Sequence, residues 1–421
     1  MNYNLYDVVV VGGGPAGLLA AGRAAMGGAK VLLLEKMEKP ARKLRITGKG
    51  RCNITNLKPL DEFLEEIYPE PRFLRNAFNE FFSNEIIELL NSNGVETVVE
   101  RGQRVFPASG KAWDVADALV KWAKRFGVEI ECYEKVTSFV IENKTVVGLR
   151  IANTKTNRNE TISCKAAILA TGGKSYPATG STGDGYRLVE ECGHTVMPTF
   201  PTLVGVETNP KLEGADGLTL KNVNLSLYIN GKKQADEFGE LEITPYGLSG
   251  PITIRLSRSM VYAINRSEPV ELILDMKPAL NHDKLEARLI RDIQEFSRLS
   301  VHEFARKLVP KELVNPLIDS IGLAAQKPIS RLTAQERKSI RLWLKEIRFN
   351  VTGYRSWEEA IATAGGISLK EVDPKTMMSK LVNGLFFAGE VLDLDGSTGG
   401  FNLQIAYSTG WLAGKSAAEL G

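Results

Sequence analysis

Three glycines, at positions 12, 14 and 17, follow an almost unbroken apolar run from Leu5 to Val11 and open an Ala/Leu-rich stretch that reads as a helix to about Gly27. Such a run fits a strand buried on both faces of a parallel sheet. In that setting GxGxxG binds phosphate: Gly12 allows a tight turn, Gly14 lets backbone approach a pyrophosphate, and Gly17 lets helix and sheet pack closely. The helix N-terminus adds free N–H groups that point at anionic oxygens. A second apolar strand, Lys30 to Leu34, ends at Glu35, 21 positions beyond Gly14, where a carboxylate accepts hydrogen bonds from a ribose. Strand, turn, helix, strand and acid in this order predict dinucleotide binding, against the alternative that the glycines serve chain geometry alone.

The distant carboxyl end bears on which dinucleotide. LFFAGEV puts Gly389 and Glu390 at a strand terminus, and Gly399-Gly400-Phe401-Asn402 opens a helix. A helix N-terminus aimed at the N1 and O2 edge of an isoalloxazine stabilises the negative charge that ring gains on reduction, with Glu390 placed for ribityl hydroxyls. The alternative is a glycine loop that merely closes the last strand–helix connection.

These residues need elements to position them. Residues 76–127 read as helical apart from a loop at 100–111, residues 135–151 alternate as a small β-meander, and Ala166 to Ala170 is a buried strand ending in Ala170-Thr171-Gly172-Gly173. Beyond about residue 195, Val223, Leu225, Leu227 and Ile229 alternate at period two and 241–275 reads as further short strands, so 195–275 is expected to be β. From 281 to 348 the period is helical, with capping boxes at Ser300 to Glu303 and Thr333 to Glu336. The chain returns through AGGIS (364–368) to a strand, Leu385 to Ala388, and a last helix.

Composition narrows the classes. A chain of 421 residues exceeds one domain, and 43% apolar with 24% charged residues excludes disorder. Fifty-three Lys plus Arg against 50 Asp plus Glu leave +3, too little for whole-molecule attraction to nucleic acid or membrane, though a local patch remains open. Cys52, Cys132, Cys164 and Cys192 form no CxxC pair and the three histidines give no zinc spacing, so no metal is expected and a reducing cytoplasm fits. No apolar stretch approaches the ~20 residues that span a bilayer. The start lacks a basic residue ahead of its apolar run, which GGGPAG interrupts, so the N-terminus reads as mature and folded.

The strings TGKGRCNITN (47–56), ATGGKSYPATGSTGDGYRL (170–188), AGGIS and AGEVLDLDGSTGGFNLQIAYSTGWLAG (388–414) resemble the BaiN-like, YhiN-type NAD(P)/FAD-dependent oxidoreductases over nearly the whole chain. Gly205 departs from that pattern, which has proline there. The resemblance implies an α/β protein: a Rossmann-type FAD-binding domain from both chain ends (1–194 and 356–421), an inserted β domain (195–275 and 349–355) and a helical insert (276–348). It implies non-covalent FAD, with Gly12, Gly14, Pro15, Ala16, Gly17, Glu35 and Lys36 at the ADP half and Val136 meeting adenine through its backbone. Lys43, Ala170, Thr171 and Gly172 line the cofactor by the same likeness. Gly48, Gly50, Arg51, Cys52 and Asn53 run beside the reactive N5 edge, and Gly389, Glu390, Asp393, Gly400, Phe401, Asn402, Leu403 and Gln404 cover the ribityl and pyrimidine side.

Cys52 is the one catalytic candidate, as a proton donor or flavin contact, with a small buried cysteine as the alternative. His194, after Cys192-Gly193, reads as a capping or surface residue. No second strand–GxGxxG–helix unit is readable, so NAD(P)H is expected to dock transiently as electron donor. Lys39, Arg42, Lys43, Arg45, Lys49, Arg51 and Lys58 form an acid-free run, and residues 276–350 hold 15 basic and 9 acidic side chains. These either meet the FAD pyrophosphate and solvent or grip a polyanion. By resemblance the favoured activity is reduction of the C5=C6 bond of a ribosomal RNA uridine, as in a dihydrouridine synthase. The alternatives are NAD(P)H-dependent reduction of a small-molecule enone such as a steroid, and a non-catalytic flavin-binding redox sensor.

Overall fold

A computed structural model describes residues 5–420, so the expectation for the N-terminus falls in part outside the described residues. The chain divides into two compact units, Met1–Pro201 with Ile361–Gly421, and Thr202–Ala360.

In the first unit five strands run parallel in the order Glu129–Cys132, Val31–Glu35, Leu5–Val11, Asn159–Leu169, Leu385–Phe387. Val8, Val9, Val10 and Leu33 are wholly buried, the reason these strands read as continuous apolar runs. Opposite Leu5–Val11, the other edge of the long strand Asn159–Leu169 serves two further partners. Its first half pairs antiparallel with Thr145–Asn153, itself paired with Glu134–Glu142, and its end pairs with Leu385–Phe387. Because the strands are parallel, Gly12, Glu35, Ala170 and Gly389 emerge together at the carboxyl edge of the sheet, where open α/β sheets bind ligands.

The helix Pro15–Met26 opens with proline at its first position, where a missing N–H costs nothing. The last helix, Phe401–Ala418, packs on it at a spacing that only glycine permits. A Cβ on Gly410 would lie 2.3 Å from the carbonyl oxygen of Ala16, and one on Gly414 would lie 2.2 Å from that of Ala20. The two chain ends are locked backbone to backbone.

Two expectations for this unit are corrected. The loop expected at 100–111 holds half of a hairpin, Thr97–Glu100 with Arg104–Pro107, which also pairs with Thr55–Asn56. Its β-branched residues flank a turn in which Gly102 and Gln103 take φ of 76° and 60°. Val196–Thr202, expected in the β domain, pairs with Ala362–Ile367.

The second unit is a closed barrel of six antiparallel strands in the order Val206–Asn209, Gly247–Ser249, Lys232–Thr244, Thr219–Ile229, Val270–Asp275, Ile347–Tyr354. Val223, Leu225 and Leu227 point inward, as their alternation predicts. Pro251–Asn265 is a helix where short strands were expected, with Ile252, Leu256, Met260 and Ala263 on its buried face. The helices His282–Glu295, Val301–Leu308, Val314–Ile321 and Ala334–Lys345 share one apolar core with the barrel, Phe304, Leu317 and Trp343 joining Leu225 and Leu272. The expected boundary at 275/276 therefore does not separate two cores. Ser300 and Thr333 cap their helices by accepting from the backbone N–H of Glu303 and Glu336. Among the described residues no helix is long and apolar enough to cross a membrane, and no cluster of His, Cys, Asp and Glu is placed to hold a metal.

Gly410→Ala tests the helix contact, because propensity and packing pull in opposite directions. Alanine gains about 1 kcal/mol as a helix former, whereas overpacking typically costs about 1–3 kcal/mol, and here the clash is with backbone. Thermal unfolding followed by circular dichroism should show a lower Tm. A raised Tm would mean that the helices separate freely.

Candidate functional site

The three motif glycines have different reasons to be glycine. Gly12 has φ of 103° and a Cβ there would lie 2.6 Å from the Ala170 carbonyl oxygen, while a Cβ on Gly17 would lie 1.9 Å from the Gly12 carbonyl oxygen. Both are required by the fold. Gly14 has φ of −74°, which any residue adopts, and nothing lies within 4 Å of the place its Cβ would take. Its space is open, at the N-terminus of Pro15–Met26, and fits a pyrophosphate whose oxygens accept the free N–H groups.

Glu35 accepts from the backbone N–H of Gly13 at 2.9 Å and of Met37 at 2.8 Å. Burial raises its carboxyl above the usual range, opposed by those N–H donors. About two of its roughly four acceptor positions remain open. Lys36 bridges to Asp184 at 2.8 Å and donates to Thr182. Val136 is buried, with a register shift just after it.

The far wall centres on Glu390. One carboxylate oxygen accepts from Lys43 Nζ at 2.9 Å, the other from Ser175 Oγ and the Thr363 backbone N–H, each at 2.7 Å. Lys43 also donates to Ser175 Oγ at 2.6 Å, and Thr363 Oγ1 accepts the backbone N–H groups of Lys174 and Ser175. Ser175 and Thr363 are wholly buried. Sequence reasoning named Lys43 and Glu390 but missed Ser175 and Thr363, for which no local signal exists. A Cβ on Gly172 would lie 3.9 Å from Glu390 Oε2, which puts the Ala170-Thr171-Gly172 turn against this carboxylate.

The loop after Leu44 carries Gly48, Lys49, Gly50 and Cys52 all at positive φ, between 58° and 84°. Asn53 Oδ1 and Thr171 Oγ1 are buried without a hydrogen-bond partner in the protein. Groups so placed need a partner, and the polar edge of a bound cofactor is a group that would supply one. Open space at Gly14 and these two orphaned oxygens are together the observation that FAD fits.

Several predicted contacts are occupied otherwise. The Gln404 side chain is wholly buried, accepting from Thr55 Oγ1 at 2.6 Å and donating to Ser408 Oγ at 2.9 Å, so it braces the helix. Asn402 exchanges two hydrogen bonds with the Gly396 backbone at 2.8 and 2.7 Å, closing its own loop. Phe401 is buried with its ring edge-on to Phe63 at 4.6 Å. Leu403 is half-buried, and the Asp393 N–H donates to the Ile367 carbonyl. Gly389 packs against Ala16 and donates to Thr409 Oγ1, and a Cβ on Gly400 would strike the Thr55 backbone at 2.4 Å. Cys52 is wholly buried, and burial pushes its thiol up to about 12, so at neutral pH it is protonated and enclosed.

His194 is neither cap nor surface residue. Its ring is buried against Phe387, with Nδ1 3.2 Å from Glu371 and Nε2 2.8 Å from Ser379 Oγ. Ser379 Oγ already accepts the backbone N–H groups of Leu381 and Val382, so its proton goes to Nε2 and Nδ1–H donates to Glu371. Burial depresses the imidazole below its ordinary range, against the pull of Glu371.

The basic run is largely paired. Arg42 meets Glu38, Lys43 Glu390, Arg45 Asp117, Arg51 Glu100 and Lys58 Glu66. Among the described residues only Lys39 and Lys49 of that run have no ion pair.

The model of the HI0933-like protein Rossmann domain matches residues 6–416. The 3-dehydro-bile acid delta(4,6)-reductase of Clostridium scindens is 30% identical over 414 residues, 97% of this chain and 98% of that protein. The ribosomal RNA dihydrouridine synthase of Escherichia coli is 28% identical over 413 residues, 96% of each chain. The solved 3-ketosteroid-delta4-(5alpha)-dehydrogenase from Rhodococcus jostii RHA1 shares the fold at a TM-score of 0.51 and 16% identity, covering 99% of this chain and 97% of that one.

Gly14→Val should strip flavin absorbance from the purified protein while leaving its circular dichroism intact, since the protein itself leaves room for the side chain. Retention of stoichiometric flavin would defeat the assignment of the pyrophosphate position. For His194, the unfolded chain binds a proton near pH 6.5 that the folded chain resists. Its contribution to stability is thus complete above about pH 6.5 and is lost as pH falls from there toward the depressed folded value. Tm measured from about pH 8 down to 5 should decline less steeply in His194→Gln; parallel curves would remove His194 from this role.

Proposed function

The chain belongs to the HI0933-like Rossmann family of FAD-dependent oxidoreductases, and from that premise we propose that it reduces an activated carbon–carbon double bond, the C5=C6 bond of a ribosomal RNA uridine. When bound, FAD supplies two-electron redox chemistry. The residues of this chain bind, orient and shield. Gly12 to Gly17 and Glu35 hold the ADP half, with Val136 at adenine; Lys43, Thr171, Gly172 and Glu390 hold the middle of the cofactor; and Gly48 to Asn53 border its reactive edge. The Asn53 amide and Thr171 hydroxyl then gain the partners they lack in the protein alone. NAD(P)H docks transiently as electron donor, since one strand–GxGxxG–helix unit is readable and the cofactor occupies it. A cytoplasmic location belongs to the same reading.

The observation that carries RNA over other substrates is charge that ion pairing leaves uncancelled. On the helical part of the second unit Lys284, Arg291, Arg298, Arg306, Arg331 and Lys338 are exposed, with no ion pair or hydrogen bond from their side chains among the described residues. Unpaired, exposed cations attract phosphates and release counterions on binding. Relatives in Escherichia coli and Haemophilus influenzae are named ribosomal RNA dihydrouridine synthases, which supports this reading. A second reading, reduction of a small-molecule enone, is favoured by the pairing of five of the seven cations between 39 and 58 and by the bile-acid reductase relative.

Joint charge reversal, Arg291→Glu with Arg298→Glu and Lys338→Glu, should weaken binding to ribosomal RNA fragments and flatten its salt dependence by about 0.7–0.9 in log–log slope per lost phosphate contact. Bound FAD should not change. A target uridine must leave its stack, so partly assembled RNA should turn over faster than mature ribosomes. If mass spectrometry finds unaltered ribosomal dihydrouridine in a deletion strain, the RNA reading fails and the enone reading takes its place.

A further inference from the structure

Trp113 stands out among the exposed aromatic residues of the first unit. It lies in the first turn of the helix Ala112–Arg125, whose buried face is made by Ala112, Val115, Ala116, Leu119 and Trp122. Trp113 is off that face and 50% exposed. Its nearest ring contacts are cations. The Arg45 guanidinium lies 4.5 Å from the ring centroid and the Lys39 ammonium 4.3 Å.

The two cations differ in kind. Arg45 is only 7% exposed and is fixed by Asp117 at 2.7 Å, so it is a rigid backing that holds the indole in place. Lys39 has no ion pair among the described residues, and Lys49, in the turn Leu44–Gly50 that the helix packs against, has none either and is exposed. The helix packs against the turn Leu44–Gly50, which runs directly into the Gly48 to Asn53 loop. A half-exposed indole, backed by Arg45 and covered by a Lys39 ammonium that no carboxylate holds in place, thus adjoins the loop assigned to the reactive edge of the cofactor.

We infer that Trp113 is a stacking platform for a nucleotide flanking the target uridine in single-stranded RNA, with Lys39 and Lys49 taking the adjoining phosphates. This rests on the RNA reading above and deepens it by naming the group that receives a neighbouring base. Single-stranded RNA is held by aromatic faces that stack its bases and by cations that follow its backbone. An acidic protein segment matches the charge but leaves the prepared ring without a planar partner.

The test uses the FAD-loaded full chain and a short, labelled, uridine-rich single-stranded RNA, with affinity read by fluorescence anisotropy over a salt series. Trp113→Ala should weaken binding by roughly fivefold to a hundredfold, with an unchanged salt slope because no phosphate contact is lost. Trp113→Phe should restore most of the affinity. Lys39→Ala with Lys49→Ala should instead lower the slope, by about 0.7 per phosphate contact. Flavin absorbance and circular dichroism confirm that each variant is folded. Wild-type affinity in Trp113→Ala would overturn the platform while leaving RNA binding intact. A lower salt slope in Trp113→Ala, or no rescue by phenylalanine, would show that the ring only props its cations, which also overturns stacking. Failure of the wild-type protein to bind this RNA at low salt would overturn the platform together with the RNA reading.

Discussion

The carboxylate of Glu390 is where four distant stretches of chain meet. Lys43 comes from the segment after the second strand, Ser175 from the turn after the long strand, Thr363 from the strand that brings the chain back into the first unit, and Glu390 itself follows the last strand. A half-exposed ion pair contributes little by itself. Here the carboxylate is also held by a hydroxyl and a backbone N–H, and Thr363 Oγ1 in turn accepts two further backbone N–H groups. Such a network fixes geometry more than it adds stability, because each member is over-determined by the others. The cofactor wall thus exists only when the last quarter of the chain has folded back onto the first.

That return is enforced by shape as well as charge. Gly410 and Gly414 let the final helix touch the backbone of Ala16 and Ala20, and the first turn of that first helix is the phosphate site. The position of the glycine loop is therefore set from one side by the sheet and from the other by the C-terminal helix. Gly389, packed on Ala16 and bonded to Thr409, ties the Glu390 turn to the same pair of helices. One rigid assembly carries both the phosphate-binding end and the far wall.

What the sequence made legible was local. The glycine motif could be read because strand, turn, helix and acid follow one another within 35 residues, and capping boxes because their partners are three residues apart. Where a residue's partner is remote, its type did not reveal its task. Gln404 and Asn402 are polar residues at a helix start, which suits a ligand contact, yet Thr55 and Gly396 claim them. His194 finds Glu371 and Ser379 at separations of 177 and 185 positions. The helix at Pro251–Asn265 was hidden for another reason: ITIRL alternates at period two, and only the spacing from Leu256 to Met260 and Ala263 fixes the helical period.

Charge counted along a chain is not charge presented to a partner. The acid-free run at 39–58 looked like the stronger polyanion site because it contains no carboxylate of its own, but Glu38 pairs with Arg42 and folding brings Asp117, Glu100, Glu66 and Glu390 to it from elsewhere. The helical segment looked better balanced in sequence, and its pairing is uneven: Glu286 faces both Arg337 and Arg341, Glu346 faces Arg348 and His282, and Asp283, Glu295 and Asp319 have no ion pair among the described residues. Fifteen cations there outnumber nine acids, so several cations stay unpaired, and the segment with the smaller charge density in sequence presents more unpaired cations than the run at 39–58. In the first unit the same pairing selects which positive groups stay available. Lys39, over the Trp113 ring, and Lys49 are left without a carboxylate partner, while Lys43 and Arg45 are consumed in holding the cofactor wall and that indole in place.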